Sequence, residues 1–156
     1  METRVLMVCL GNICRSPLAE GAFEALIQER GLGEKYRVDS AGTGGWHVGE
    51  PPHSGSQNIA HRHGVDISHQ RSRQVSAREL STWDWLIAMD QSNLSNLIRM
   101  GAPPDRTKLL LSFDPTGDVN EVPDPYYEGG FDRVFDLVNT GCRHLLDFLE
   151  EDTLKR

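Results

Sequence analysis

Between Val5 and Ile27 the chain passes from a strand pattern to a helix pattern through a short polar loop, and that passage narrows its fold more than any other stretch. Val5-Leu6-Met7-Val8 is a continuous apolar run of the kind found in parallel strands covered on both faces. Ala19, Ala22, Phe23, Leu26 and Ile27 then mark one face of a helix ending near Gly31. Ser16 is a favourable N-cap for that helix and Pro17 a favourable first residue. Between strand and helix lies Cys9-Leu10-Gly11-Asn12-Ile13-Cys14-Arg15. A loop in this position turns successive backbone N–H groups inward, and the helix dipole adds positive potential. It suits a tetrahedral oxyanion, with Arg15 offering a planar fork of donors. The same field favours Cys9 as thiolate, the nucleophilic form. A cysteine at a strand end is, taken alone, more often a small buried hydrophobe. Gly11, Asn12, Ser16 and Pro17 around it, in a strand–loop–helix context, give the chemical reading its weight.

Strand and helix patterns keep alternating beyond Gly31. Residues 36–40 read as a short strand; Gly42-Thr43-Gly44-Gly45-Trp46 is then an irregular loop, and Pro51-Pro52 stops regular structure again. Residues 56–63 read as a helix closed by Gly64. Residues 85–89 form a third apolar strand with Asp90 at its end. A helix through Leu94, Leu97, Ile98 and Met100 follows, ending at Gly101 ahead of Pro103-Pro104. Residues 108–111 are a fourth strand. Phe131, Val134, Phe135, Val138, Cys142, Leu145, Leu146 and Leu149 keep three-and-four spacing, which predicts a long helix packed on a sheet and makes Cys142 part of its apolar face. This alternation predicts an α/β fold: an open four-stranded parallel sheet with helices on both faces, of the flavodoxin-like, Rossmannoid kind. Ligands of such sheets bind outside the carboxyl ends of the strands at a switch point, and Cys9 stands at one of those ends.

No linker, repeat or low-complexity tract interrupts this order, so residues 1–156 are expected to form a single domain. No apolar stretch approaches a membrane span, and Met1-Glu2-Thr3-Arg4 leads straight into the first strand, so no signal peptide is expected. Cys9, Cys14 and Cys142 are an odd, sparse set, unlike a secreted disulfide framework; a reduced, cytoplasmic protein is expected. The net charge of −7 disfavours nucleic acid or an anionic membrane as main partner, without bearing on a local anion site. The six histidines show no ligand spacing with carboxylates or cysteines, so no metal is expected. No Gly-Lys-Ser/Thr follows the loop, which argues against a nucleotide-binding P-loop.

Further stretches follow in order over nearly the whole chain: Asp39-Ser40-Ala41-Gly42-Thr43, Gly49-Glu50-Pro51-Pro52, Arg62-His63-Gly64-Val65, Ile67-Ser68-His69, Met89-Asp90-Gln91-Ser92-Asn93-Leu94 and Asp124-Pro125-Tyr126-Tyr127. With the loop from Cys9 to Pro17 they resemble the low-molecular-weight protein tyrosine phosphatases. The resemblance implies a cofactor-free hydrolase of phosphotyrosine proteins whose site also takes inorganic phosphate or a similar oxyanion. Cys9 is then the nucleophile that forms a cysteinyl-phosphate and Arg15 the phosphate clamp; Leu10, Gly11, Asn12, Ile13, Cys14 and Ser16 complete the phosphate-binding loop. The general acid and base falls at Asp124, where Asp-Pro by itself would read as a turn. A carboxyl beside a dianionic phosphate keeps its proton for the first step, and Pro123 and Pro125 stiffen its loop.

Trp46 and Tyr126 match the aromatic walls of the family's cleft, which favour phosphotyrosine over the shorter phosphoserine, with His47 at the rim. Asn12 and Ser40 resemble a hydrogen-bonded pair behind the loop, Asn12 in a left-handed turn that asparagine tolerates. His69 and Asp90 take supporting roles, and the Ser16 hydroxyl can stabilise the sulfur as well as cap the helix. Cys14 matches a cysteine that traps the oxidised nucleophile as a disulfide, set against a bland space-filling role. Tyr126 and Tyr127 match positions that are phosphorylated in family members. The family is mostly monomeric, with weak self-association through the active-site face open to it.

Other readings compete. Arsenate reductases share the fold and the anion loop, but the thioredoxin-coupled ones use further cysteines on a segment corresponding to residues 75–95, where this chain has none. A glutathione-dependent variant escapes that objection. Phosphoarginine phosphatases of the same fold carry Thr where this loop has Ile13, whose apolar side chain better suits an aryl ester. A catalytically silent phosphate-binding module is opposed by the presence of both Cys9 and Asp124.

Overall fold

Alternate residues of the first strand face opposite ways. Val5, Met7 and Cys9 enter one apolar cluster, Leu6 and Val8 another, which is why this strand reads as an unbroken apolar run. The computed structural model describes residues 2–155, with the side chains of Tyr127 and Glu128 outside the description. The elements run β1 (Thr3–Cys9), α1 (Arg15–Glu29), β2 (Tyr36–Gly42), α2 (Ser54–Arg62), β3 (Trp85–Ala88), α3 (Gln91–Met100), β4 (Thr107–Leu109), α4 (Pro125–Glu128) and α5 (Phe131–Leu154), with 3-10 turns between some of them. The sheet order is β2-β1-β3-β4 and every pairing is parallel, with Cys9 opposite Gly42 and Val8 opposite Ala88. α1, α2 and α5 pack on the face of Val5 and Met7; α3 and a 3-10 turn at Ala77–Thr82 pack on the other. The chain leaves β2 on one side of β1 and returns as β3 on the other, so the switch point lies between the carboxyl ends of β1 and β3.

The expected α/β architecture is what forms, with local corrections. Ser16 is not the N-cap of α1: the helix starts at Arg15 with Cys14 at the cap position, and no side chain caps it. The Ser16 hydroxyl is drawn back into the loop instead, toward Cys9 and Asn12. Pro17 still falls in the first turn, where a missing N–H costs nothing. The fourth strand ends at Leu109, because Leu110–Phe113 turns as a 3-10 segment and sends Leu110 under α5. There its side chain sits so close to Gly141 that a Cβ on that glycine would be 2.8 Å from Leu110 Cγ. α2 starts earlier than expected, its Gly55 N–H donating to His53 Nδ1 at 3.0 Å. The long last helix forms as read, and Cys142 is buried on its inner face with its thiol 3.6 Å from the Ala19 carbonyl.

Candidate active site

The segment after β1 closes into a loop whose carbonyls are tied outward. Thr43 N–H donates to the Cys9 carbonyl and Gly44 N–H to that of Leu10, each at 2.9 Å. Ser72 Oγ donates to the Gly11 carbonyl (2.9 Å), His53 N–H to that of Ile13 (2.7 Å) and Ser56 Oγ to that of Cys14 (3.0 Å). Gly42 permits this closeness, since a Cβ there would stand 2.7 Å from the Leu10 carbonyl oxygen. Asn12 takes the left-handed turn, with φ of 58°. Its Oδ1 accepts from Arg73 N–H at 3.0 Å, which fixes the amide, and its Nδ2 donates to Ser16 Oγ (2.8 Å) and Ser40 Oγ (3.0 Å). Among the described residues no protein acceptor takes the backbone N–H groups of Leu10, Gly11, Asn12, Ile13 and Cys14. These donors, beside the N-terminus of α1, form an anion-binding concavity.

Cys9 Sγ lies 3.0 Å from Ser16 Oγ. Because Ser16 Oγ accepts from Asn12, its own proton is available to the sulfur. Arg15 is 2 % exposed; its Nη1 donates to Asp90 Oδ2 (2.6 Å) and to the Val122 carbonyl (3.0 Å), and its Nη2 is 3.5 Å from Asp124 Oδ2. Burial opposes the guanidinium charge, but Cys9, Asp90 and Asp124 hold its pKa above the ordinary value. Asp90 N-caps α3 through Oδ1, which accepts from Asn93 N–H at 2.8 Å, while Oδ2 holds Arg15; one carboxylate thus fastens the end of β3 to the Arg15 guanidinium. Asp124 divides its oxygens the same way. Oδ1 accepts from Tyr126 N–H at 3.0 Å and caps α4, and Oδ2 faces Arg15. Burial, with Cys9 and Asp124 nearby, pushes the Cys14 thiol up to about 12.

A cavity of about 270 Å³ is lined by Cys9, Leu10, Gly11, Ile13, Cys14 and Arg15 from the loop. Asp124, Trp46, His47 and Tyr126 complete it. Trp46 is 72 % exposed and lies against Gly44, where any Cβ would collide with the indole. Tyr126 stands 5.9 Å, ring to ring, from His47, whose Nδ1 is 2.9 Å from Glu50. Asn12, Ser16, Ser40 and Asp90 do not line the cavity but hold the residues that do. His69 stands apart, exposed in a shallow groove beside Glu20 and Glu24 and without a hydrogen bond to the loop.

A family model described as low molecular weight phosphotyrosine protein phosphatase matches residues 4–155. The chain belongs to the low-molecular-weight phosphotyrosine protein phosphatase family. Among its relatives, the low molecular weight protein-tyrosine-phosphatase YfkJ of Bacillus subtilis is 45% identical over 150 residues, covering 95% of this chain and 96% of that one. The YfkJ crystal structure matches with a TM-score of 0.95 at 44% identity, over 97% of each chain. A protein tyrosine phosphatase from Entamoeba histolytica, solved with Hepes in its active site, gives a TM-score of 0.92 at 37% identity, over 97% of this chain and 99% of that one. Drosophila arginine phosphatase gives 0.87 at 32% identity, over 96% of this chain and 98% of that one.

In this phosphatase chain the residues that sequence reasoning missed sit one layer behind the loop. Ser40 Oγ donates to Glu20 Oε1 at 2.6 Å, so hydrogen bonds run from Glu20 through Ser40, Asn12 and Ser16 to Cys9. Burial, then Asp39 and Glu24, raise the Glu20 carboxyl to about 7 against the pull of the Ser40 hydrogen bond and Arg73. Arg73, whose N–H fixes Asn12, is itself held by Glu79 (2.8 and 3.0 Å) and Asp39 (3.1 Å). Ser76 and Glu79, three residues apart, carried a visible capping-box signal for that turn. Glu20 carried none, since a glutamate inside a helix reads as a solvated face.

Proposed function

We propose that this chain hydrolyses phosphotyrosine in proteins through a cysteinyl-phosphate on Cys9. The observation that carries this reading is the loop in which the carbonyls of Cys9, Leu10, Gly11, Ile13 and Cys14 are bound outward while its N–H groups remain unclaimed around a thiol, with Arg15 and Asp124 at the same cavity. The phosphate rests on the N–H groups of Leu10 to Cys14 and on Arg15, which Asp90 keeps in place. Cys9 attacks phosphorus in line as the bond to the phenolic oxygen breaks. Asp124 protonates that oxygen, whose conjugate acid has a pKa of about 10. In the second step Asp124 takes a proton from water, which attacks phosphorus and releases Cys9. Ser16 steadies the sulfur in both steps. Trp46 and Tyr126 hold the phenyl ring between flat faces. Ser40 remains a supporting residue through Asn12, and Cys14 is the partner for an oxidised Cys9; His69, exposed and without a hydrogen bond to the loop, is given no part in the reaction.

The binding of Hepes, a sulfonate, in the Entamoeba histolytica relative is consistent with an oxyanion in this cavity. The same reading takes residues 1–156 as a single domain acting as a cytoplasmic monomer, with inorganic phosphate as product and ligand. Fold likeness to an arginine phosphatase does not separate the two substrates, but Ile13 does favour the aryl ester, since its side chain lines the cavity and offers no hydroxyl to a guanidinium. The test is hydrolysis of p-nitrophenyl phosphate at mildly acidic pH with EDTA present, for wild type and Cys9→Ser, followed by matched phosphotyrosine and phosphoarginine peptides. Turnover by wild type alone, with preference for phosphotyrosine, is the expected result. Equal activity of Cys9→Ser, or preference for phosphoarginine, overturns the reading.

A further inference from the structure

The aromatic wall of the active site has a second side. Trp46 and Leu10 line the catalytic cavity, and both also line an adjoining groove of about 400 Å³ whose far bank is α3, with Asn96, Arg99 and Met100. Leu10, 39 % exposed, and Met100 give the groove apolar lining, and through Leu10 and Trp46 it adjoins the site where the phosphorylated ring is expected. Arg99 stands at its edge in the last turn of α3. Among the described residues it has no ion-pair or hydrogen-bond partner, and no acidic residue lines this groove. A basic residue there also suits the helix dipole, but that role leaves the guanidinium's outward donors unused.

The opposite rim is different. A groove beyond Tyr126 is lined by His47, Glu50, Pro51, Pro52 and His53, and its charged groups are already paired, Glu50 with His47 at 2.9 Å. A chain that carries phosphotyrosine into the cavity therefore meets an unpaired cation on one side and a carboxylate on the other. On a protein of net charge −7, that local cation is a discriminating feature.

We propose that the groove between Trp46 and α3 receives the substrate segment flanking the phosphotyrosine, and that Arg99 selects a carboxylate side chain in that segment. This rests on the phosphotyrosine reading above and adds to it a substrate class: phosphotyrosine next to an acidic residue on one side of the ring. An exposed pair of this kind is worth about a two- to fivefold change in KM. The effect appears in KM more than in kcat, because the carboxylate binds equally well before and during phosphoryl transfer, and it shrinks with added salt.

The experiment uses a neutral phosphotyrosine peptide and two derived series in which a single Glu or a single Lys is walked along both flanks. For each enzyme the quantity read is the ratio of kcat/KM between a charged peptide and the neutral parent. Wild type is expected to favour Glu at one or two neighbouring positions on one flank only. Arg99→Glu is expected to reverse that ratio, favouring Lys at the same positions, and Arg99→Lys to retain it in part. The same ratios in wild type and Arg99→Glu overturn the proposal, as does a Glu preference spread evenly over both flanks. Turnover of p-nitrophenyl phosphate with no turnover of any phosphotyrosine peptide would instead bring down the phosphotyrosine reading, and this proposal with it.

Discussion

Asp124 carries two tasks on one carboxylate, and its two oxygens separate them: Oδ1 caps α4 while Oδ2 faces Arg15 and the cavity. Asparagine caps a helix as well as aspartate does, but it has no proton to give at any useful pH. Asp124→Asn is therefore expected to leave stability within about 0.5 kcal/mol of wild type while lowering turnover of poor leaving groups by about 10²- to 10⁴-fold. Esters with good leaving groups should lose much less. A leaving-group series for both enzymes decides the matter, and a uniform loss across the series removes Asp124 as the acid. Cys14 permits a second experiment at the same scale. Held up at about 12, its thiol stays protonated at neutral pH, so peroxide is directed to Cys9. Cys14 can then condense with the sulfenic acid and expel water, forming a disulfide that dithiothreitol reverses. Wild type should recover most of its activity on reduction after brief peroxide treatment, and Cys14→Ser should recover little. Equal recovery assigns Cys14 to packing.

Among the elements, the turn at Ala77–Thr82 supports the loop at one remove, through Arg73. Glu79 bonds Ser76 N–H at 2.9 Å, Arg73 at 2.8 and 3.0 Å and the Trp83 indole at 3.2 Å; Arg73 in turn holds Asn12 through its N–H. Glu79→Ala leaves several of these donors unmatched and should cost about 2 kcal/mol, or roughly 4–8 °C in Tm. Thermal unfolding of the two proteins measures it. The carboxyl is held down at about 2 by its bonds to Arg73 and Ser76 against its burial, so this contribution is present above about pH 4.5 and is lost as pH falls toward 2. This turn also marks the limit of what the sequence discloses. β1 and β3 were legible as short unbroken apolar runs, which burial on both faces of a sheet enforces, and α5 because its apolar residues recur at the helix period. The loop was legible because each of its residues has a separate chemical reason to be there. Ser16 was misplaced as a cap because its hydroxyl had competing local partners, and only the closed loop decides that Cys9 and Asn12 win. Glu20, Ser56, Ser72 and Arg73 were not legible as site residues, since their contacts join the loop to positions far away in sequence.

Across the molecule as a whole, Glu20 ties pH to folding. It lies on α1, accepts from Ser40 on β2, and through Asn12 meets the loop, so three segments share its protonation state. In the unfolded chain it titrates near its ordinary 4.5; in the folded protein, burial raises it to about 7. Between those values the folded state keeps a proton that the unfolded state has lost. Stability therefore falls as pH rises through this window, the reverse of the usual paired carboxylate. Glutamine keeps an oxygen able to accept from Ser40 but does not ionise. Glu20→Gln is thus expected to flatten this part of the pH dependence and to be more stable than wild type near neutrality. Its stability relative to wild type should become independent of pH above about 7, where Glu20 is ionised in both states. Urea unfolding of both proteins from pH 4.5 to 7.5 tests this, with other titrating groups cancelling in the difference. Parallel curves would mean that Glu20 is solvated in the folded protein, and that the hydrogen-bonded line from Cys9 ends at Ser40. A widening gap as pH rises would show that the line runs to a buried carboxyl on the far side of Asn12.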